Sequence, residues 1–460
     1  AMLARGETEG LFQLNGAGMT RYLKELRPTN IQDINAMVAL YRPGPMETIP
    51  QYIERKHNPR LISYLDPRLT NILADSYGVI TYQDDVLLTA IHLAGYSWLE
   101  ADKLRKAMGK KIPAEMEAQR VKLLEGFVKN GLTQVKAEQL WKLIEPFAAY
   151  GFNKAHAASY GKVAYQTAYM KANFPALYMA AVLTADSGDT EKIGESVAEC
   201  TRMGIVVLPP SVNESQSGFT VIAGGEIRFG LTTIKNFGEG VAESIITERK
   251  RDGAFKHLSD FLARVKDRNL NKKALEALIK TGALDAFGER GQMLANMELL
   301  LQYGKESTVA SGASLFEALP AHTGIRLAAA PAASKEEKLV WEKELLGLYL
   351  SGHPLDKFRD ILEKREVNIR RAKEEYKEGM VVVVAGILQE VKTIITKKNE
   401  IMAFLTLADF SGAIEVVVFP RTWNEHKALF SPDALVALKG RISNRNNTVS
   451  MVAEKAKKLG

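Results

Sequence analysis

The chain has 460 residues, 46% hydrophobic and 25% charged, which suits about three ordinary globular domains. A net charge of +7 and a pI of about 9.1 favour a polyanionic partner. The single cysteine, Cys200, excludes a disulfide framework and a cysteine-based zinc site, and the longest apolar run, Phe174 to Ala185, is too short to span a bilayer. No secretory h-region follows a basic start, so the expected compartment is the cytosol. Ala1-Met2 reads as a cloning remnant, and the chain as a fragment of a longer protein.

Residues 1 to about 205 read as helical. A first helical pattern covers Leu11 to Leu26. Arg27-Pro28-Thr29-Asn30 breaks it, and Ile31 to Tyr41 resumes it. Arg42-Pro43-Gly44-Pro45 then stops the chain, because proline removes backbone donors and glycine frees the backbone. Tyr77 to Gln83 reads as a short strand or extended piece, and Asp84 and Asp85 follow where a helix would begin. Ser97-Trp98-Leu99-Glu100 is a capping box, and Gly109 is the expected residue just past that helix. On one stripe lie Lys103, Lys106 and Lys110, with Arg105 beside them and Lys111 after. Part of this basic cluster is explained by the helix dipole alone, and a solvated face is its plain alternative.

A long amphipathic pattern runs from Pro113 to Phe147. Next comes Gly151-Phe152-Asn153-Lys154-Ala155-His156-Ala157-Ala158-Ser159-Tyr160, a turn opening a helix that should reach about Asn173. Asn153 is a good N-cap, and Lys154 and His156 fall in the first turn. Free N–H groups, the positive dipole end and a cation together favour a phosphate. The alternative is an ordinary capped helix with an exposed Lys and His. Tyr165 and Tyr169 share one face and read as core. Another short helix starts at Pro175 and ends near Asp186 to Asp189.

The character changes at Leu208-Pro209-Pro210. Phe219 to Ile222 and Glu226 to Phe229 read as a hairpin bent at Gly224-Gly225. Thr233 to Ile245 matches a helix-hairpin-helix, in which Gly238 and Gly240 let the backbone approach a phosphate and Lys235 and Asn236 flank the site. A degenerate second copy is expected, with Asn271 to Lys280 as helix, Thr281-Gly282-Ala283 as hairpin and Leu284 onward as the next helix. Such pairs hold duplex DNA by its backbone. Ser307 to Ser334 has a linker composition, with an apolar island at Gly312 to Phe316 that could dock on a partner or fold back. A helix with Trp341, Leu345, Leu346 and Leu348 follows, closed by Ser351-Gly352-His353-Pro354.

The last ninety residues read as β. Strands are expected at Val381 to Ile387, Glu390 to Thr396, Met402 to Leu407, Ala413 to Phe419, Leu435 to Ile442 and Thr448 to Val452. A helical stretch at Trp423 to Leu429 comes late, which is the plan of an OB-fold barrel. Lys397, Lys398, Arg441 and Arg445 are candidate cations for a single-strand groove.

With these parts in order, the chain resembles the C-family of bacterial replicative DNA polymerases. Gly10 to Leu14, Ala39 to Pro45, Gly78 to Gln83, Leu104 to Lys111, Gly151 to His156 and Leu346 to Pro354 carry the resemblance. It implies a multidomain protein: a mainly α fingers domain (1–207), a tandem helix-hairpin-helix domain (208–300), a linker with connecting helices (301–370) and a C-terminal β-barrel OB-fold (371–460). It implies that Arg105, Lys106, Lys110, Asn153, Lys154 and His156 bind an incoming dNTP, with His156 near the sugar. Lys235, Asn236, Gly238, Gly240, Lys397, Lys398 and Arg441 would bind template-primer DNA. Ser314, Leu315 and Phe316 would be the remnant of a sliding-clamp motif, with Gly312 where the family usually has Gln. Other replisome subunits would be partners, and no membrane. Lys106 stands where the family often has a second arginine, and keeps the charge without the bidentate fork.

The family's catalysis uses three palm aspartates holding two Mg²⁺ ions. These would lie before residue 1, so the chain is expected to bind without polymerising, and no residue in it is expected to be catalytic or to hold a metal. Two rivals stand beside this reading: a DNA-binding scaffold that uses the same modules without chemistry, and an RNA-binding OB protein. The polymerase reading requires the two cationic helix ends, at Arg105-Lys106 and at Lys154, to meet around one phosphate tail.

Overall fold

The computed structural model describes residues 1–110, 112–266, 270–310, 325–445 and 448–459. The chain forms two compact units, Ala1–Leu208 with Gly218–Gly230, and Pro209–Ser217 with Leu231–Gly460. It therefore passes from one unit to the other three times, and the hairpin after Gly218 belongs to the first.

The first unit is helical: α1 (Met2–Arg5), α2 (Ala17–Leu26), α3 (Ile31–Leu40), α4 (Ile49–His57), α5 (Thr70–Leu73), α6 (Gln83–Ala94), α7 (Trp98–Lys110), α8 (Pro113–Lys129), α9 (Gln134–Tyr150), α10 (Lys154–Asn173), α11 (Pro175–Ala185) and α12 (Thr190–Arg202). Three short strands complete it. β1 (Val207–Leu208) runs parallel to β3 (Ile227–Arg228), and β2 (Thr220–Val221) pairs antiparallel with β3 across the expected Gly224-Gly225 bend. Among the described residues, no helix is long and apolar enough to cross a membrane.

Helix α10 packs on α3 through small residues. Ala157, Gly161, Ala164 and Ala168 recur at helical spacing and are buried, so the backbones come close. A side chain at Gly161 would overlap that of Asn35 on α3. The other end of α10 is anchored by Lys171. Its buried ammonium donates to the carbonyls of Glu7 (3.3 Å) and Glu9 (2.7 Å) and pairs with Glu199 of α12. A buried cation is tolerable only when satisfied in this way.

Several local expectations are corrected here. The first long pattern becomes a turn at Leu11–Asn15 followed by α2, because Gly16 at φ 101° allows a sharp entry. Gly109 lies inside α7 rather than after it. The long pattern from Pro113 is two helices, split at Gly131 with φ 98°. Tyr77 to Gln83 forms no strand, and the chain there runs through a left-handed Tyr77 into α6. Tyr165 and Tyr169 are not core: they are 49% and 50% exposed, with ring centroids 6.3 Å apart.

The second unit begins with α13 (Glu239–Asp252), α14 (Leu258–Arg264), α15 (Lys272–Lys280), α16 (Arg290–Ala295), α17 (Met297–Ala310) and α18 (Lys335–Leu346). Leu284 onward is turn, not helix, until α16 starts at Arg290. The described end of the linker-like stretch is pinned down: Ala328 donates to Asn296 (2.9 Å) and Ala333 to Glu289 (3.0 Å). Helix α18 ends at Gly347, φ 81°, ahead of the expected stop. Two short helices, α19 (Arg359–Glu363) and α20 (Ile369–Glu374), lead to the barrel.

The barrel is closed, in the order β4-β5-β6-β8-β7. Its strands are β4 (Val381–Ile395), β5 (Ile401–Asp409), β6 (Gly412–Val418), β7 (Leu435–Arg445) and β8 (Thr448–Lys458), with α21 (Pro420–His426) between β6 and β7. Two expected strands are one. β4 runs through a bulge at Leu388/Glu390, pairing first with β7 and then with β5. Such a bulge lets one strand serve two neighbours around a small barrel. At Gly386 a side chain would collide with the carbonyl of Ala408, and at Gly440 with that of Val452, so closure needs glycine at both. Leu355 and Leu362 pack on Ala385, Ile387 and Ala408, which seats the barrel on the preceding segment.

Candidate functional site

Helix α7 opens on the expected capping box. Glu100 accepts from the Ser97 N–H at 2.8 Å, and Ser97 Oγ accepts from the Glu100 N–H at 3.3 Å. Lys122 bonds the same carboxylate, and together they pull the Glu100 carboxyl down to about 2. At the other end, Arg105 and Lys106 are exposed. Both reach back to Asp102, at 2.7 and 2.8 Å. Lys106 and then Arg105 hold the Asp102 carboxyl below its ordinary range. Exposed pairs of this kind are weak, so both cations are available to a stronger anion. The side chain of Lys110 lies outside the described residues, as does Lys111.

Helix α10 starts as expected. Asn153 is its N-cap, with its side-chain oxygen accepting from His156 N–H at 3.0 Å. The Lys154 N–H is already engaged: it donates to Asp84 Oδ2 at 2.7 Å, from the first turn of α6. This is a charge-assisted bond at the positive end of a long helix, where an anion is favoured. The Lys154 ammonium is exposed, 3.8 Å from Asp75 and 5.6 Å from the Tyr82 ring centre. Asp85 does different work. It is buried and accepts from the N–H groups of Thr81 and Tyr82, both at 2.9 Å, capping α6. Burial is the main cause that pushes its carboxyl up, to about 6.

The two cationic ends share a neighbour rather than a contact. Helix α7 packs against α6, α8 and α9, while α10 packs on α3. The first turn of α6 is bonded to the start of α10 through Gln83 N–H to Phe152 O, 2.9 Å, and through Asp84. Among the described residues, no hydrogen bond or ion pair joins Arg105 or Lys106 to Lys154 or His156. Sequence reading missed Asp84 as the occupant of α10, and nothing local marks it, since the partners are seventy residues apart. It also missed a row of rings, Phe152, His156 and Tyr160, whose i, i+4 spacing was a readable signal.

In the second unit, the first helix-hairpin has only a 3₁₀ turn, Leu231–Thr233, where its opening helix was expected. Ile234 and Phe237 are buried and fix the loop. Lys235, Asn236, Gly238 and Gly240 are exposed, and the space beside Gly238 is open. Asn236 adopts φ 69°, and the Lys235 N–H is tied to Leu345 O at 2.9 Å. The degenerate second copy is filled by its own chain. A side chain at Gly282 would collide with the Arg290 guanidinium. That buried group bonds Asp285 (2.8 Å), Lys280 O (3.0 Å) and Glu342 (3.2 Å).

On the barrel, Lys397 and Lys398 are exposed at the β4–β5 turn. Arg441 on β7 pairs with Glu454 at 2.6 Å. Ser314, Leu315 and Phe316 lie outside the described residues. Among the described residues, no group of three His, Cys, Asp or Glu side chains is disposed to hold a metal ion.

Comparison with known proteins agrees with this order of parts. Residues 1–131 match the bacterial DNA polymerase III alpha subunit finger domain, 204–293 a helix-hairpin-helix motif, and 382–459 an OB-fold nucleic acid binding domain. The chain is 42% identical to the DNA polymerase III subunit alpha of Thermus aquaticus, over 92% of this chain and 35% of that one. It is 40% identical to the subunit of Treponema pallidum, over 99% of this chain and 39% of that one. With the Escherichia coli subunit it shares 38% identity, over 96% of this chain and 39% of that one. It thus spans well under half the length of these relatives. On these matches the chain belongs to the family of bacterial DNA polymerase III alpha subunits, as the portion running from the finger domain to the OB-fold.

Proposed function

We propose that this chain is the nucleotide- and DNA-receiving portion of a replicative DNA polymerase, a nucleotidyltransferase that adds deoxynucleotides to a primer. The start of α10, with Arg105 and Lys106 of α7, takes the triphosphate of the incoming dNTP. The exposed hairpin at Lys235, Asn236, Gly238 and Gly240 takes the phosphates of the template-primer duplex. Lys397, Lys398 and Arg441 of the barrel take the single strand. The same reading makes Ser314 to Phe316 a sliding-clamp contact, other replisome subunits partners, and the bacterial cytoplasm the place of action. The parent reaction would use Mg²⁺. The described residues offer no ligand set for it.

One observation carries the reading. At the start of α10 one residue, Lys154, presents both a backbone N–H and an exposed ammonium, and carboxylates from distant segments, Asp84 and Asp75, engage them. A phosphate arriving there competes with Asp84 and recruits Lys154. The non-catalytic scaffold is the second reading, favoured by the engagement of Arg105 and Lys106 with Asp102. Titration of the chain with dNTP separates the two. Binding that weakens in Arg105→Ala, Lys106→Ala and Lys154→Ala supports the polymerase reading, and no binding at all supports the scaffold.

A further inference from the structure

Beside the anion end of α10 lies a continuous line of rings. The Arg42 guanidinium is 3.7 Å from the centre of the Phe152 ring. Phe152 meets His156 at 5.0 Å between centroids, His156 meets Tyr160 at 4.1 Å, and Tyr160 meets Phe12 at 5.3 Å. His156 and Tyr160 are an i, i+4 pair on α10, and Phe152, just before the N-cap Asn153, continues their line. The helix is turned so that its small residues, Ala157 and Gly161, go into the interface with α3. That packing leaves the aromatic row on the flank rather than inside. His156 is exposed, Phe152 and Tyr160 are half-buried, and Phe12 is 38% exposed.

We propose that this row is a base-stacking surface, on which the nucleobase of a nucleotide held by its phosphates at Lys154 lies against Tyr160 and Phe12. The inference rests on the proposed nucleotide site and adds which part of the ligand each end of α10 reads. Tyr160 is six residues beyond Lys154, about 9 Å along the axis at 1.5 Å per residue. That is comparable with the separation of phosphate tail and base in a nucleoside triphosphate. Rings in mutual contact are held in place before the ligand arrives, so little side-chain freedom is lost on stacking. The Arg42 guanidinium covers the Phe152 end of the row, leaving Phe12 and Tyr160 at the other.

The test compares two probes in one magnesium-containing buffer: each of the four dNTPs, and inorganic tripolyphosphate, which has the charge without the base. Tyr160→Ala and Phe12→Ala should each weaken dNTP binding about tenfold, within the range for loss of one base stack. Both should leave tripolyphosphate binding unchanged, and Tyr160→Phe should restore dNTP binding. Lys154→Ala should weaken both probes. Equal loss of the two probes in the ring variants would show a merely structural row and overturn the inference alone. So would dNTP affinity that ignores the rings while tripolyphosphate still depends on Lys154. Failure of the unsubstituted chain to bind either probe would overturn the nucleotide site and this inference together.

Discussion

In the first hairpin of the second unit, Gly238 faces open space and Lys235 and Asn236 are exposed at the surface. In the second, the corresponding turn at Gly282 is occupied by the guanidinium of Arg290. Arg290 is held in turn by Asp285 and by Glu342, whose other oxygen accepts from Leu350 and Ser351, both at 2.9 Å. One loop type therefore does two things here. Left open, it has room beside its backbone, where the proposed function puts a DNA phosphate. Filled from within, it becomes a joint that ties α15, α16 and α18 together. A glycine pattern reports a loop that admits a charged group closely, and does not say whether that group comes from the chain or from a ligand.

The contrast can be broken most severely at the filled copy. Arg290→Met should cost about 3–5 kcal/mol in urea unfolding, because it leaves Glu342 buried and unpaired. DNA affinity of the folded fraction should not change. Gly282→Ala comes next, at about 2 kcal/mol, since φ 82° is strained for alanine and Arg290 must move. At the open copy the readouts should exchange. Gly238→Val meets no neighbour, and φ −84° suits any residue, so the melting temperature should hold. Duplex affinity should nonetheless fall about tenfold, or about 1.4 kcal/mol, as the side chain blocks phosphate approach. The mildest change, Lys235→Ala, should lower duplex affinity a few-fold and reduce the salt dependence by about one unit of slope. A Gly238→Val chain that melts early but binds duplex normally would reverse the assignment of the two loops.

What the sequence disclosed was local. Ser97 with Glu100, Asn153 with His156 and the strand–turn pattern after Val381 each need only a few neighbouring residues to be recognised, and all three are present. The hidden features join distant segments. Asp84 finds Lys154, Arg290 finds Glu342, and the two halves of β4 become one strand because β5 and β7 both need it. The shared face of Tyr165 and Tyr169 predicts core, yet the interface with α3 is made by alanine and glycine instead. Close helix packing selects small residues, and amphipathic counting overlooks an interface of that kind.

The threefold passage of the backbone between the units, at residues 208–209, 217–218 and 230–231, constrains how the molecule can be divided. Cutting any one junction leaves two covalent tethers. Expressing either half from a contiguous gene segment strips it of a short piece or burdens it with a foreign one. A transplant of the second unit into another scaffold must carry Pro209–Ser217 along, and the donor half must have its hairpin rejoined by a new link.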